Sequence, residues 1–456
     1  MFLTKRSFLE KKDRILYLPI ETFARAFHSK FYLAYLAFQK DWTVVIGPEY
    51  DINKIIKYLP SGVYFGIGLH KKTKKVLSSI KKFGHIILTQ DEEGLDRWEP
   101  TLYKEYRIDP EINEFVEYFL CWGEEDKKII TSAFNKPINA VAVGNLRLDL
   151  LNENLRKIFF EEVSDIKNKN GDFILINGKF GTVNHKNGLD YYINDLKVRG
   201  WMNTPYKKNF HFQRFDFQKK IFEEMIELSI ALAKLGYQIV VRPHPSESLE
   251  VWKKRTENYS KNIKIIRSGN IIPWLLGSKL VIHNGSTSAI EALLLDKAVI
   301  SYRPYKNSSV ETDLPNSIGI CLENKQDVIK YLTNLDEKKF QEINLISLNI
   351  LNQHIKINKN NNNVGIKIMN LIKDLQVKKK TNQFKVIKDN LIIEMSIIKS
   401  MITRKIFKKK FLYSESKCSK LNTNETKKIL ELLLLIQKGK KKMKISNLSN
   451  YSLIIS

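Results

Sequence analysis

Arg242 and His244 stand between prolines in the stretch VVRPHPSESLEVW, directly after an apolar, β-branched run. Pro243 and Pro245 remove backbone donors and stiffen the chain, which fixes where the two side chains point. A guanidinium and an imidazole held at the carboxyl end of a strand suit a phosphate or a carboxylate. The same residues can instead close the loop with local hydrogen bonds. A second segment has a related character. In HNGSTSAIEALLL an apolar run ends at His283 and Asn284, and a hydroxyl-rich turn of Gly285, Ser286, Thr287 and Ser288 leads straight into a helix. Backbone N–H groups and hydroxyls at a helix start attract anions. Glu291, one turn further on, can accept from a sugar hydroxyl or simply complement the helix dipole. Two anion-friendly loops at neighbouring strand ends are harder to dismiss than one.

Carboxylates gather elsewhere. HIILTQDEEGLDRWEP places Asp91, Glu92 and Glu93 in a row after another apolar run, with Gly94 allowing a sharp turn. Adjacent carboxylates repel, so at least one is expected to titrate above its ordinary range. The group can supply a nucleophile, a general base or a metal ligand, or be a solvated acidic loop. LPIETFARAF puts Glu21 and Arg25 one helical turn apart, facing a ligand or paired with each other. VGNLRLDLL offers Asn145, Arg147 and Asp149 as a hinge or a substrate contact.

The elements that must hold these residues come in two series. Short apolar runs alternate with helical stretches through RILYLPI, WTVVIGP, VYFGIG, HIILTQ, FVEYFLCWG and INAVAVGN. They alternate again through FILINGKF, YQIVVRPHP, IKIIRSG, KLVIHNG, AVISYRP and SIGICL. Such alternation predicts βαβ units and parallel sheets, and runs apolar on both faces suit sheets covered on both sides. Two doubly wound domains are expected, 1–155 and 156–376, with a cleft between them and ligands beyond the carboxyl ends of the strands. Residues 189–214, polar and aromatic without clear period, read as a long insertion, and a helix is expected from about 215. A basic tail over 377–456 reads as partly helical or disordered. Within it LIIEMSIIKSMITRKIFKKKF has the pattern of a membrane-surface helix or a packed appendage.

Length and composition bound the reading. A chain of 456 residues is too long for one ordinary core. Lysine and arginine number 76 against 49 aspartates and glutamates, a net charge of +27. The abundance of Lys, Asn and Ile points to compositional drift with some attraction to anionic membranes. Nucleic acid is not expected as a partner, because neither an aromatic RNP pattern nor a Cys/His finger is present. Three scattered cysteines without metal-ligand spacing suit a reducing compartment. No secretory h-region begins the chain, and no apolar run reaches the ~18 residues of a spanning helix, so a cytoplasmic protein is expected.

ETFAR, DEEG, WG followed by GNLRLD, ILINGKFGTVN, RPHPSE and HNGSTSAIEA occur in this order within residues 14–305. Together they resemble the bacterial surface carbohydrate biosynthesis proteins, which are similar to the β-Kdo glycosyltransferases of capsule and lipopolysaccharide assembly. The resemblance implies an α/β, GT-B architecture of two Rossmann-like domains facing a cleft, with the donor held mainly by the C-terminal half. It implies that Arg242 and His244 grip the donor phosphate. Glu247, His283, Asn284, the turn from Gly285 to Ser288, and Glu291 would complete a cytidine-nucleotide site. Glu93 stands at the acidic position before a glycine that carries the chemistry in the Kdo enzymes, with Glu92 and Asp91 as the other candidates. Glu21, Arg25, Asn145, Arg147 and Asn177 fall to the cleft or the acceptor. GKF stands where that family carries Thr-Asn-Phe, which puts Asn177 and Lys179 at that place.

The chemistry implied is transfer of Kdo or a related acidic sugar from a CMP-sugar to a glycan or glycolipid acceptor. A single phosphate and a sugar carboxylate need two cationic groups and no metal, and no Asp-x-Asp pair is present to hold one. No cofactor beyond the donor substrate is expected. The basic tail would hold the protein on the anionic inner face of the plasma membrane. The rival readings are a CDP-glycerol or CDP-ribitol polyol-phosphate transferase of the teichoic-acid type, a nucleotide-sugar 2-epimerase and a non-catalytic scaffold.

Overall fold

Each of the twelve apolar runs forms a strand. The computed structural model describes residues 8–9, 11–98, 100–334, 337–356, 363–377, 423–436, 443–448 and 452–456. The chain divides into two units, one of Met1–Glu93, Arg107–Ile158 and Ile355–Ser456, the other of Gly94–Tyr106 and Phe159–His354.

The first unit is built on β1 (Ile15–Ile20), β2 (Thr43–Pro48), β3 (Val63–Ile67), β4 (Ile86–Gln90), β5 (Tyr118–Cys121) and β6 (Ala140–Ala142). They lie parallel in the order β2-β1-β3-β4-β5-β6. Every residue of β1, β2 and β3 is buried, which is why those runs are apolar on both faces. The winding reverses beside β1, and a ligand crevice is expected beyond the carboxyl end of that strand.

The second unit is built on β7 (Phe173–Asn177), β8 (Gln238–Arg242), β9 (Ile263–Ile265), β10 (Leu280–His283), β11 (Ala298–Tyr302) and β12 (Ile320–Leu322). These too are parallel, ordered β9-β8-β7-β10-β11-β12. Counted within the unit this is 3-2-1-4-5-6, the Rossmann order, whose switch point falls between β7 and β10. Side chains alternate across the sheet. Ile174, Ile176, Val241 and Ile282 pack with Ile221, Met225 and Trp252 into one core. The register places Arg242, Asn177, His283 and Ser301 in one row at the carboxyl edge, on the opposite face.

Residues 189–214 depart from the sequence expectation. They form the helix Leu189–Val198 and the first turns of a long helix, Pro205–Lys234, which begins ten residues before the expected start. Thr204 caps it, its hydroxyl accepting from the Lys207 N–H at 3.3 Å, with Pro205 in the first turn. A Thr-Pro pair is a helix-start signal, and the aromatic residues that follow it obscured the period.

The tail departs as well. Beyond the helix Thr423–Ile436, the strands β13 (Ile445–Asn447) and β14 (Leu453–Ile455) form a hairpin. β14 pairs antiparallel with β2, so the tail extends the sheet of the first unit. The fit at that edge is close: a Cβ on Gly47 would lie 2.3 Å from the Ser452 hydroxyl oxygen. The amphipathic stretch at 391–411 lies outside the described residues. Among the described residues no helix is long and apolar enough to cross a membrane.

Asp149, offered by its motif as a hinge or substrate contact, anchors a helix instead. Its two carboxylate oxygens accept the N–H groups of Val364 and Gly365, each at 2.8 Å, at the start of the helix Val364–Ile372. Asn363 caps the same helix and donates to the Tyr32 hydroxyl at 2.6 Å. Asp149→Ala is expected to lower the local stability of this helix by about 1–3 kcal/mol. Hydrogen exchange should then show faster exchange over Val364–Ile372 than in the wild type. Unchanged protection there would mean that the Asn363 cap suffices.

Candidate active site

In the first unit, charged side chains meet at the carboxyl ends of β1 and β4. Arg25 reaches the Glu93 carboxylate at 2.5 Å and the Glu21 carboxylate at 3.5 Å. Lys30, only 3% exposed, donates to the Pro19 carbonyl at 2.5 Å and pairs with Glu92 at 2.8 Å. Asp91, 2% exposed, is gripped by both arms of the Arg107 guanidinium and accepts the Glu93 N–H at 3.1 Å. The Trp122 indole N–H donates to the Asp91 carbonyl at 2.8 Å.

The repulsion expected along Asp91-Glu92-Glu93 is therefore answered by cations from distant parts of the chain. Burial works against the charge on Glu92, yet Lys30 and Arg25 hold its carboxyl below the ordinary carboxylate range. Its second oxygen is buried with no hydrogen-bond partner among the described residues. Asp91, closed in by Arg107, positions the turn. Glu92 and Glu93 are the members of the run that remain placed for chemistry.

Beside this cluster stands a carboxyl that titrates high and that no motif marked. Ile20 and Pro48 are paired across β1 and β2, so Glu21 and Glu49, the next residues, leave the sheet side by side. Glu49 is pushed up to about 7, by burial first and then by the negative charge of Glu21, against the pull of Lys30. Glu92 raises it further, while a hydrogen bond with Asn53 opposes. A carboxyl titrating near neutrality, within the field of Lys30, is suited to accept a proton and return it. Its only sequence signal was its place, directly after an apolar strand.

Asn145 and Arg147 support this cluster. Asn145 donates to the Gln90 side chain at 3.0 Å, and Gln90 donates to the Gly144 carbonyl at 2.8 Å. Together they fasten the end of β4 to the turn after β6. Arg147 lies over the Trp122 ring at 5.5 Å, and its charge helps to keep Glu92 ionised. Among the described residues no group of three or more His, Cys, Asp or Glu side chains is arranged to hold a metal.

In the second unit the RPHP turn is tied mostly to protein. Arg242 donates to the carbonyls of Ser268 and Gly269, at 2.7 and 3.1 Å, and its guanidinium lies 4.9 Å from the Trp274 ring centre. Arg242 thus braces the loop after β9, where a phosphate grip was expected. Glu247, placed by the resemblance among donor-binding groups, is fully buried. One carboxylate oxygen accepts the N–H groups of Phe180 and His244, at 3.0 and 2.9 Å. The other accepts the Trp252 indole N–H at 2.9 Å. This carboxylate staples the loop after β7 to the loop after β8. His244 is the member that keeps a ligand-type polarity. Its Nδ1 accepts the Ser246 N–H at 3.2 Å and lies 2.7 Å from the Ser246 hydroxyl. A backbone N–H can only donate, so the neutral ring carries its proton on Nε2 and offers a hydrogen-bond donor there.

The switch point holds the other candidates. Asn177 and His283 are register partners across β7 and β10. The Asn177 amide N–H donates to the Ser288 hydroxyl at 2.9 Å, and its carbonyl oxygen is buried with no partner among the described residues. His283 is fully buried, and neither ring nitrogen has a hydrogen-bond partner among the described residues. Burial, and after it the nearby charge of Arg303, push its pKa down to about 3, so the ring is neutral. An unpaired buried imidazole beside an unpaired buried amide oxygen is costly in a closed protein.

The turn that follows is ordered by its own side chains. Gly285 takes φ 63°, where glycine is favoured, and donates its N–H to the Asn316 side chain at 2.7 Å. The Ser286 and Ser288 hydroxyls lie 2.8 Å apart. Asn284 donates to the Tyr302 carbonyl at 2.9 Å and so ties β10 to β11. Thr287 precedes the helix Ser288–Leu294, in which Glu291 is buried. Lys179, just beyond β7, pairs with Asp96, whose carboxylate also accepts from the Thr312 hydroxyl.

No family model and no curated protein matches the chain. Among solved structures it is similar to a UDP-N-acetylglucosamine 2-epimerase, at 10% identity over 82% of this chain and 100% of that chain, with a TM-score of 0.50. It is also similar to the wall teichoic acid polymerase TagF, at 13% identity, 82% and 92% coverage and a TM-score of 0.48. The UDP-GlcNAc 2-epimerase of Methanocaldococcus jannaschii follows at 16% identity, 79% and 99% coverage and a TM-score of 0.46. At such identities the likeness speaks of fold. The chain has a GT-B-like α/β fold, with two Rossmann-type units of parallel strands.

Proposed function

We propose that the protein is a GT-B glycosyltransferase that binds a nucleotide-activated sugar on its second unit and transfers the sugar to a glycan or glycolipid acceptor. The observation that carries this reading is the switch point of the Rossmann-ordered sheet. There Asn177, His283 and the serine turn collect polar groups, two of them buried without partners. In doubly wound sheets a ligand binds at that crevice. A neutral His244 donating from Nε2 suits a phosphate oxygen, and the Ser286 and Thr287 hydroxyls suit the same group. Transfer forms a bond from the acceptor oxygen to the anomeric carbon and breaks the bond to the nucleotide phosphate. The acceptor proton must leave, and Glu49, titrating near 7, is assigned to take it. Glu92 and Glu93 are assigned to the positive charge that develops on the sugar.

The finer reading is a CMP-activated acidic sugar such as Kdo, which rests on the motif resemblance. Thermal unfolding with CMP, CDP, UDP and GDP tests it. A nucleotide at a hundred times its Kd stabilises by about 2.7 kcal/mol. We expect CMP to raise Tm and His244→Ala to abolish the rise. A shift with CDP alone would move the assignment to a polyol-phosphate transferase, and one with UDP alone to an epimerase or hexose transferase. With no shift for any nucleotide, the RPHP turn is only a brace and the reading fails.

A further inference from the structure

The described residues hold fourteen exposed large apolar side chains, and five of them fall between positions 189 and 212. They are Leu189 at 41%, Tyr191 at 47%, Val198 at 73%, Tyr206 at 59% and Phe212 at 55% exposure. All lie on two consecutive helices of the second unit, Leu189–Val198 and Pro205–Lys234. Exposed apolar side chains scattered singly need no explanation, but a concentration of this kind marks an interaction surface.

The exposure does not come from a loosely held segment. Behind it, Leu196, Phe210 and His211 are buried. The Trp201 ring, in the turn joining the helices, stacks on Tyr106 with centres 4.5 Å apart, and the Tyr106 hydroxyl donates to the Trp201 carbonyl at 3.3 Å. Lys207 pairs with Glu105 on the same side. The helices are thus held through these side chains, while Tyr191 and Val198, two turns apart, share the exposed side of the first helix.

Charge selects the occupant. Between positions 187 and 213 the exposed charged residues are Lys197, Arg199 and Lys208 against Asp190. Arg199 is paired with the half-buried Asp195 at 2.6 Å, so Lys197 and Lys208 carry the positive excess, on a chain of net charge +27. Tyrosines, aliphatic side chains and lysines side by side on helices are the composition of an interfacial surface. Apolar groups enter the headgroup boundary while cations meet anionic lipid. We propose that the exposed face of Leu189–Val198 and of the first turns of Pro205–Lys234 docks on an anionic phospholipid bilayer. This stands independently of the transfer reaction and of the tail at 391–411.

Co-sedimentation of the full chain with vesicles tests it, using phosphatidylglycerol mixed with phosphatidylcholine against phosphatidylcholine alone. The wild type is expected to bind the anionic vesicles and not the neutral ones. Lys197→Glu with Lys208→Glu, and separately Val198→Ser with Phe212→Ser, are each expected to weaken binding about tenfold or more. Lys254→Glu with Lys261→Glu, at two other exposed positions, makes the same charge change and should bind like the wild type. Unchanged thermal unfolding of the variants excludes misfolding as the cause. Failure of the wild type to bind would overturn the proposal, as would equal losses in the control pair. Full binding by both test variants would place the lipid contact elsewhere. Loss of a dimer in light scattering, with vesicle binding intact, would assign the face to a second copy of the chain.

Discussion

Glu247→Ala is expected to destabilise the second unit by about 3–5 kcal/mol, the largest stability effect of any substitution considered for this protein. The carboxylate is fully buried and accepts from three donors: the backbone N–H groups of Phe180 and His244, and the Trp252 indole. Removing it leaves all three inside the protein without acceptors, and a small cavity beside Trp252. For a unit of about this size, 3 kcal/mol corresponds to a fall in Tm of roughly 6–12 °C. His244→Ala should move Tm far less, because it removes one side chain and leaves the staple intact. The two variants separate roles that adjacent positions in RPHPSE would otherwise confuse. If His244→Ala loses nucleotide binding at near-normal Tm while Glu247→Ala loses Tm first, the histidine meets the ligand and the glutamate holds the histidine. Near-normal Tm in Glu247→Ala would mean that water replaces the carboxylate, and the staple would be refuted.

The strands were legible because each is a short apolar run, the central ones buried on both faces, and no long-range information is needed to see that. The positions of the candidate residues at strand ends were legible for the same reason. Their partners were not. Arg242 reads as a phosphate ligand until Ser268, Gly269 and Trp274, some thirty residues on, close around it. Asp91 reads as one of three candidate catalytic carboxylates until Arg107 grips it, and Glu93 meets Arg25 from 68 positions earlier. Glu49 could not be singled out, because its chemistry exists only once the parallel register of β1 and β2 sets it beside Glu21. The tail shows the converse limit. A three-residue run such as Leu453–Ile455 carries too little pattern to be read as a strand without the open edge of β2 that receives it.

Glu49→Gln is expected to lower the transfer rate by about 10²–10⁴-fold, the range over which a positioned general base acts. The pH dependence gives the sharper reading. A base must be deprotonated to act, so the wild-type rate should rise with pH through about 7, where Glu49 titrates, and the variant's residual rate should be flat there. Stability must move in the opposite sense. The folded-state pKa of Glu49 lies above its unfolded value of about 4.5, so between pH 4.5 and 7 the folded protein binds more protons than the unfolded one. Stability therefore falls as pH rises through that window. Glu49→Gln removes this penalty and should be the more stable protein at pH 8, on the order of 1 kcal/mol once solvent screening is allowed for, with little difference at pH 4. Glu92→Gln provides the contrast. Lys30 and Arg25 hold Glu92 ionised, so its loss should slow transfer without shifting the pH profile near 7, and should destabilise by leaving the buried Lys30 short of its partner. A Glu49→Gln variant that gains stability at pH 8 but transfers at the wild-type rate would show a carboxyl strained by its neighbours and unused by the reaction. The proton acceptor would then have to be sought in Glu93, whose carboxylate is the more exposed of the pair that follows Asp91.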